Sequence, residues 1–118
     1  MARLAVEGDT VVLRLSRLER LGGMVGGDIV VPRDAVTAVR VAPDPRRELR
    51  GMRAPGTGWP GKIALGHRRG DGIHDFAAVY GNRPSVVVEL TGRRFDRLVV
   101  SCEDPDAVAA ELERGRSR

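Results

Sequence analysis

Short apolar runs with a period of two dominate this chain. Residues 4–7 and 10–15 alternate apolar side chains with others around a Gly8-Asp9 turn. Such alternation is typical of an antiparallel hairpin with one buried face. Three further apolar runs, separated by turn residues, lie near the C-terminus at residues 76–80, 86–90 and 98–102. The pattern therefore predicts a mainly β protein.

The same criteria applied along the whole chain predict seven or eight strands. They are expected at residues 4–7, 10–15, 29–31, 36–41, 62–68, 73–80, 86–90 and 98–102. Strands this short and this closely spaced indicate a sandwich or an open barrel.

Two helices are predicted from their capping residues. Ser16 and Glu19 form an S-x-x-E capping box, which predicts a short early helix ending at the Gly22-Gly23 pair. Asp104 followed by Pro105 predicts the start of a C-terminal helix. Its apolar side carries Val108 and Leu112, and we expect this side to close the open end of the barrel.

Residues 42–61 show neither helical nor strand periodicity. Four prolines and four glycines punctuate the segment, and only Asp44-Pro45 suggests a helical turn or two. We therefore expect a long irregular loop, which is uncommon in a compact domain and often functional.

Composition limits the function more than it defines it. The chain has 118 residues, a net charge of +4 and one cysteine, Cys102. Length fits a single domain, expected over residues 1–114 with a disordered tail at 115–118. The lone thiol predicts a reducing cytoplasm and no disulfide. No apolar run approaches the roughly 20 residues that span a membrane. Of the 20 basic residues all but Lys62 are arginine, a skew that suggests a GC-rich genome rather than a nucleic-acid partner.

Several segments resemble the small PH-domain-like (pleckstrin-homology-like) proteins of actinobacteria. They read APGTGWPGKIALG, DFAAVYGNRPSVVVEL, FDRLVV and EDPDAVAAEL, within a region from about residue 29 to 112. The resemblance implies an open barrel of two near-orthogonal antiparallel sheets, about seven strands in all, with a capping C-terminal helix and a short early helix. It implies no activity and no functional residues, because the matching motifs are turns, strands and a cap.

The irregular segment also holds the candidate binding residues. A helical turn would bring three arginines to one side, and such a cluster could hold a phosphate or carboxylate. Trp59 is the only tryptophan, and tryptophan is favoured at interaction hot spots, although it could equally fold back over the core. The candidate binding set is Arg46, Arg47, Arg50, Arg53, Thr57 and Trp59.

The two histidines are the only candidates for a metal site. A two-residue Gly70-Asp71 loop would place His67 directly opposite His74 on one sheet face. Zinc needs a third and usually a fourth ligand, and none is suitably spaced, so the preferred interpretation is a surface histidine pair.

No catalytic arrangement of serine, histidine, cysteine and carboxylate is recognisable, so we expect no enzyme activity and no cofactor. The leading hypothesis is a cytoplasmic PH-like module that binds a protein or peptide. Alternatives are an anionic ligand or membrane-surface binder acting through the arginine cluster, and a metal-binding protein. Self-association through an unpaired strand edge is a further expectation; nucleic-acid binding is not expected, because only 3% of residues are aromatic.

Overall fold

The computed structural model describes residues 2–23, 27–50, 52–59, 63–70, 72–91 and 94–116. These residues form nine strands, two α-helices and two short 3₁₀ turns. The strands are β1 (Arg3–Glu7), β2 (Thr10–Arg14), β3 (Ile29–Pro32), β4 (Val36–Ala42), β5 (Met52–Trp59), β6 (Ile63–Gly70), β7 (Ile73–Tyr80), β8 (Ser85–Leu90) and β9 (Arg97–Ser101). The helices are α1 (Arg17–Gly23) and α2 (Pro105–Arg116), and the 3₁₀ turns are Arg33–Ala35 and Pro45–Glu48.

The N-terminal strands form a three-stranded antiparallel sheet in the order β1-β2-β3. Leu4 lies opposite Leu13 and Glu7 opposite Thr10, so the chain turns at Gly8-Asp9 as predicted. Gly8 has a φ of +60°, a conformation that glycine adopts without strain.

Helix α1 begins with the predicted capping box. The Ser16 N–H donates to Glu19 Oε1 at 2.9 Å, and the Glu19 N–H donates to Ser16 Oγ at 3.2 Å. The Tyr80 hydroxyl, at the end of β7, donates to the other Glu19 oxygen at 2.5 Å. These bonds keep the pKa of Glu19 below its usual value although burial raises it, so the carboxylate ties α1 to the larger sheet.

The other six strands form one sheet in the order β4-β8-β9-β7-β6-β5. The mainly β prediction is confirmed, but the irregular loop predicted over residues 42–61 is wrong, because its second half is strand β5. The register between β5 and β6 shifts between Arg53 and Gly56, so Pro55 lies at a bulge on an edge strand. This is where a strand tolerates proline, and it explains why the segment shows no alternation.

The centre of this sheet departs from the antiparallel arrangement that the resemblance implied. Strand β9 lies between β7 and β8, parallel to β7 and antiparallel to β8. The connection from β7 to β8 therefore passes the end of β9. Ser101 fills this junction: its hydroxyl accepts from the Tyr80 N–H at 2.9 Å and lies 3.2 Å from the hydroxyl of buried Ser85.

The main core lies between the two sheets and α2. The Asp104 carboxylate accepts from the Ala107 N–H at 3.2 Å, which confirms the predicted cap. Leu112 is buried in the core, with Val108 and Cys102 packed against it. Helix α2 lies against β4, β8 and β1, and so contacts both sheets. It continues to Arg116, two residues into the predicted tail; residues 117–118 lie outside the described part of the chain.

Leu112 and Leu18 provide a matched test of this packing, because both are helical leucines but only 3% of Leu112 is exposed and 80% of Leu18. Leu112→Ala should lower the free energy of unfolding by about 2–4 kcal/mol, because it leaves a cavity in the main core. Leu18→Ala should change it by less than about 0.5 kcal/mol. Urea denaturation of both variants measures the difference, and equal losses would contradict the position of α2.

Candidate functional site

A strap, residues 43–50, crosses one face of the six-stranded sheet. Strands β4 and β5 lie at opposite edges, and five inter-strand gaps measure about 24 Å. The chain from Ala42 to Met52 can extend about 36 Å at most, and the Pro45–Glu48 turn shortens it. The strap therefore has little slack and must run directly over the strands.

Small apolar side chains hold the first part of the strap. Pro45 is fully buried, and Leu49 packs against a second core cluster on this face. The cluster consists of Ala42, Ala77, Val79, Val87 and Val99. Asp44 accepts from the Arg46 N–H at 3.2 Å, so the predicted Asp44-Pro45 start of the helical turn is confirmed.

A row of charges crosses the sheet next to this cluster. Glu89, Arg97, Asp75 and Arg68 are consecutive cross-strand partners on β8, β9, β7 and β6. Partners in register lie on the same face of a sheet, so negative and positive side chains alternate along the row.

Arg97 links this row to the strap. Its guanidinium donates twice to Glu89, at 2.5 and 2.9 Å, and once to the Glu48 carbonyl oxygen at 2.9 Å. Burial raises the pKa of Glu89, but the hydrogen bonds and charge of Arg97 outweigh burial and lower it. Glu89 is therefore ionised at neutral pH, as the row requires.

The strongest contact of the strap is the bidentate pair between Arg50 and Asp75. Arg50 Nε and Nη2 donate to the two Asp75 oxygens at 2.8 and 2.7 Å. Asp75 is 2% exposed, and bidentate charged pairs are the strong ones. The hydrogen bond to Asp75 raises the pKa of Arg50. In addition, Arg68 Nε donates to the Arg50 carbonyl oxygen at 3.1 Å.

A cleft of about 340 Å³ opens beside Arg50. We call it the Arg50 cleft; its lining is Thr37, Arg50, Gly72, Ile73, Glu89, Leu90 and Asp96. It lies where β8 ends and β7 begins. Gly72, in the turn before β7, has a φ of +66°, which disfavours any other residue there.

The histidine pair lies on the other face of the same strands. Arg69 pairs with His74 and His67 with Phe76, so the predicted register, with the two histidines directly opposite, is wrong. Their rings nevertheless meet, with His67 Nδ1 2.9 Å from His74 Nε2. His67 is 2% exposed, not a surface residue. The reason is an aromatic cluster, in which Phe76 and Phe95 both contact its ring.

Burial, followed by the charges of Arg69 and His67, lowers the pKa of His74 from its ordinary 6.5. Two cationic imidazoles at hydrogen-bond distance would repel each other in a poorly solvated place. No group of three or more histidine, cysteine or carboxylate side chains suited to a metal occurs among the described residues. His67 is therefore a buried residue and half-buried His74 contacts it; whether the pair contributes to a metal site stays untested.

The structure separates the predicted binding residues rather than clustering them. Arg46 and Arg47 are exposed on the strap, and Arg47 lies 3.6 Å from Asp44. The helical turn ends before Arg50, which faces the sheet instead, so the expected helical alignment is absent. The backbone of Arg53, Thr57 and Trp59 lies in β5, and their side chains lie outside what the structure describes. Whether this set binds a ligand stays a prediction.

The residues that sequence reasoning missed are Asp75, Glu89, Asp96 and Arg97. Asp75 and Glu89 are charged residues inside otherwise apolar strands. This is a usable signal, because buried charges are rare and need a partner. The partner itself could not be read from the sequence, because Arg50 and Asp75 are brought together only by the strap.

No family model, no curated protein and no solved structure matches the chain. Within the described ranges, neither helix is long and apolar enough to cross a membrane.

Arg50→Met should lower the free energy of unfolding by about 3 kcal/mol, because it leaves the Asp75 carboxylate buried without its cation. Arg47→Met is the matched control on the same strap. The Arg47 side chain is 85% exposed against 34% for Arg50, so its loss should cost less than about 0.5 kcal/mol. Similar values for the two variants, measured by denaturant titration, would show that the strap is not held by Asp75.

Stability should also fall in mild acid because of the histidine pair. The folded-state pKa of His74 lies below 6.5, so the unfolded chain binds more protons as the pH falls below this value. The free energy of unfolding should decrease from pH 6.5 towards about pH 5, by at most about 1.4 kcal/mol per pH unit for one group. In this window the carboxylates with lowered pKa values, Glu19 and Glu89, stay ionised.

The slope of unfolding free energy against pH between 5 and 7 is the readout. His74→Gln should reduce it, because glutamine can hydrogen-bond to His67 but does not titrate. An unchanged slope in this variant would assign the pH dependence to other groups.

Proposed function

We propose that this chain is a non-enzymatic interaction module of PH-like architecture that binds a protein or peptide segment in the Arg50 cleft. The observation that carries the proposal is the cleft itself, at about 340 Å³. This volume is at the lower end of the range of ligand sites and is enough for a side chain with its flanking backbone. Residues from the strap, three strands and two turns meet there.

The lining of the cleft suits a peptide. Its backbone needs donors and acceptors side by side, and the cleft offers both, from Arg50 on one hand and Glu89 and Asp96 on the other. Ile73 and Leu90 add apolar surface.

The PH-like part of the proposal rests on the resemblance and on helix α2. The resemblance implies a single C-terminal helix across one open edge of the barrel, and α2 packs against strands of both sheets. The nine strands and the parallel β7–β9 pair are departures from it. A cytoplasmic location and self-association through an edge strand belong to the same proposal.

Binding of an anionic ligand or membrane surface through the arginines is the alternative. The structure offers less for it than the sequence suggested, because Arg50 uses two of its three guanidinium nitrogens to bind buried Asp75 and lies near the carboxylates of Glu89 and Asp96. Only Arg46 and Arg47 of the described set are exposed.

A peptide library displayed on phage tests the proposal. Peptides selected on the wild-type chain should bind Thr37→Tyr at least 10-fold more weakly, because the larger ring enters the cleft. Thr91→Tyr is the matched control: Thr91 is also exposed but does not line the cleft, and its binding should be unchanged. Binding is measured by fluorescence anisotropy after circular dichroism has confirmed that both variants fold. Failure to enrich any peptide, or equal binding by both variants, would refute the cleft as the site.

A further inference from the structure

The charges that line the Arg50 cleft are not equally compensated. Arg50 is neutralised by two hydrogen bonds to Asp75, and Glu89 by two from Arg97. Asp96 is different, since it forms no ion pair with any residue that the structure describes. Among the described residues, the Asp96 carboxylate is thus the charge of the cleft without an ion-pair partner, although Arg50 lies near enough to interact with it electrostatically.

The backbone fixes the position of this carboxylate. The Asp96 N–H donates to the His74 carbonyl at 2.7 Å, and its own carbonyl accepts from the Leu90 N–H at 2.9 Å. The carboxylate oxygen Oδ2 accepts from the His74 N–H at 2.8 Å. Asp96 is thus held at both neighbouring strands. A preorganised charge costs less to use in binding than a mobile one.

We propose that the cleft takes a basic side chain, an arginine or lysine of the partner segment, with its cationic head at Asp96. This inference rests on the proposed function and names the ligand class for the same site. The aliphatic stem of such a side chain can lie along Ile73 and Leu90, as long basic side chains commonly do on apolar surface.

Arg50 adds a second point of recognition. Its Nε and Nη2 are used by Asp75, whereas its Nη1 donates to no described residue. Nη1 can therefore donate to a backbone carbonyl of the bound segment. The Arg50 guanidinium would repel the cationic head group of the ligand, but the Asp75 carboxylate offsets the charge of Arg50. The negative charge of Asp96 therefore determines the electrostatic potential that the head group meets.

The net charge of +4 does not oppose this assignment strongly. Charges farther apart than about 8 Å are largely screened at physiological ionic strength. The net charge slows the approach of a basic peptide, while the affinity depends on the groups inside the cleft.

The test compares three small probes with isotope-labelled protein by NMR titration. The probes are N-acetyl-arginine amide, N-acetyl-citrulline amide and N-acetyl-glutamate amide; arginine and citrulline have nearly the same shape but differ in charge. The arginine probe should shift the signals of Ile73, Leu90 and Asp96, with an affinity about 10- to 100-fold above that of citrulline, as expected for a charged hydrogen bond. Equal affinities for arginine and citrulline, or preference for glutamate, would overturn the inference.

Asp96→Asn isolates the charge, because asparagine keeps an oxygen that can accept from the His74 N–H. Its affinity for the arginine probe should drop about 10-fold or more, while that for citrulline stays the same. Asp34→Asn, at an exposed position outside the cleft, is the control and should bind arginine like the wild type. An unchanged arginine affinity in Asp96→Asn would refute the role of Asp96.

The phage selection separates this inference from the proposed function. Selected peptides that lack basic residues but still lose affinity in Thr37→Tyr would refute the ligand class and leave the cleft as a peptide site. Enrichment of arginine or lysine at one fixed position would support both.

Discussion

The path of the strap across the larger sheet depends on one buried pair, Arg50 with Asp75. A connection between the two outermost strands of a six-stranded sheet has to cross all the others. Where such a connection lies on the apolar face of the sheet, its backbone N–H and C=O groups lose contact with water and need polar partners from the protein. In the strap, the carbonyl oxygen of Glu48 accepts a hydrogen bond from Arg97, and that of Arg50 accepts one from Arg68. The charged side chains inside these strands therefore form the hydrogen bonds that hold the strap.

The same arrangement creates the cleft. Because the row of charges ends at Glu89 and the strap leaves the face at Arg50, the space beyond them stays open between β7 and the end of β8. Buried ion pairs contribute little net stability compared with apolar packing, but losing one partner is costly. Such pairs fix the position of the strap more than they strengthen the fold. A site built on them has a defined geometry, which favours selective binding.

Much of the secondary structure could be predicted from the sequence, because alternation and caps are local signals. Eight of the nine strands, the capping box at Ser16 and the Asp104 cap all rest on neighbouring residues. Strand β5 was missed because an edge strand with a bulge at Pro55 need not alternate. The order of the strands in the sheet could not be predicted, since it depends on which strand pairs with β7 in the folded chain, and this pairing is not encoded in neighbouring residues.

The candidate site was missed in part for the same reason, because it too depends on contacts between distant residues. Arg50 was selected, but its partner Asp75 is 25 residues away, and one of the rings that contact His67 belongs to Phe95, in the connection between β8 and β9.

The insertion of β9 between β7 and β8 has a consequence for biosynthesis. Strand β9, one of the two central strands of this sheet, is translated after the other five strands that form it. Until it emerges from the ribosome, β7 and β8 each present an unpaired edge, which is the kind of surface that promotes association between unfinished chains. A chain that stops after Asp96 would leave the edges of β7 and β8 unpaired, although it would still contain all the residues that line the cleft.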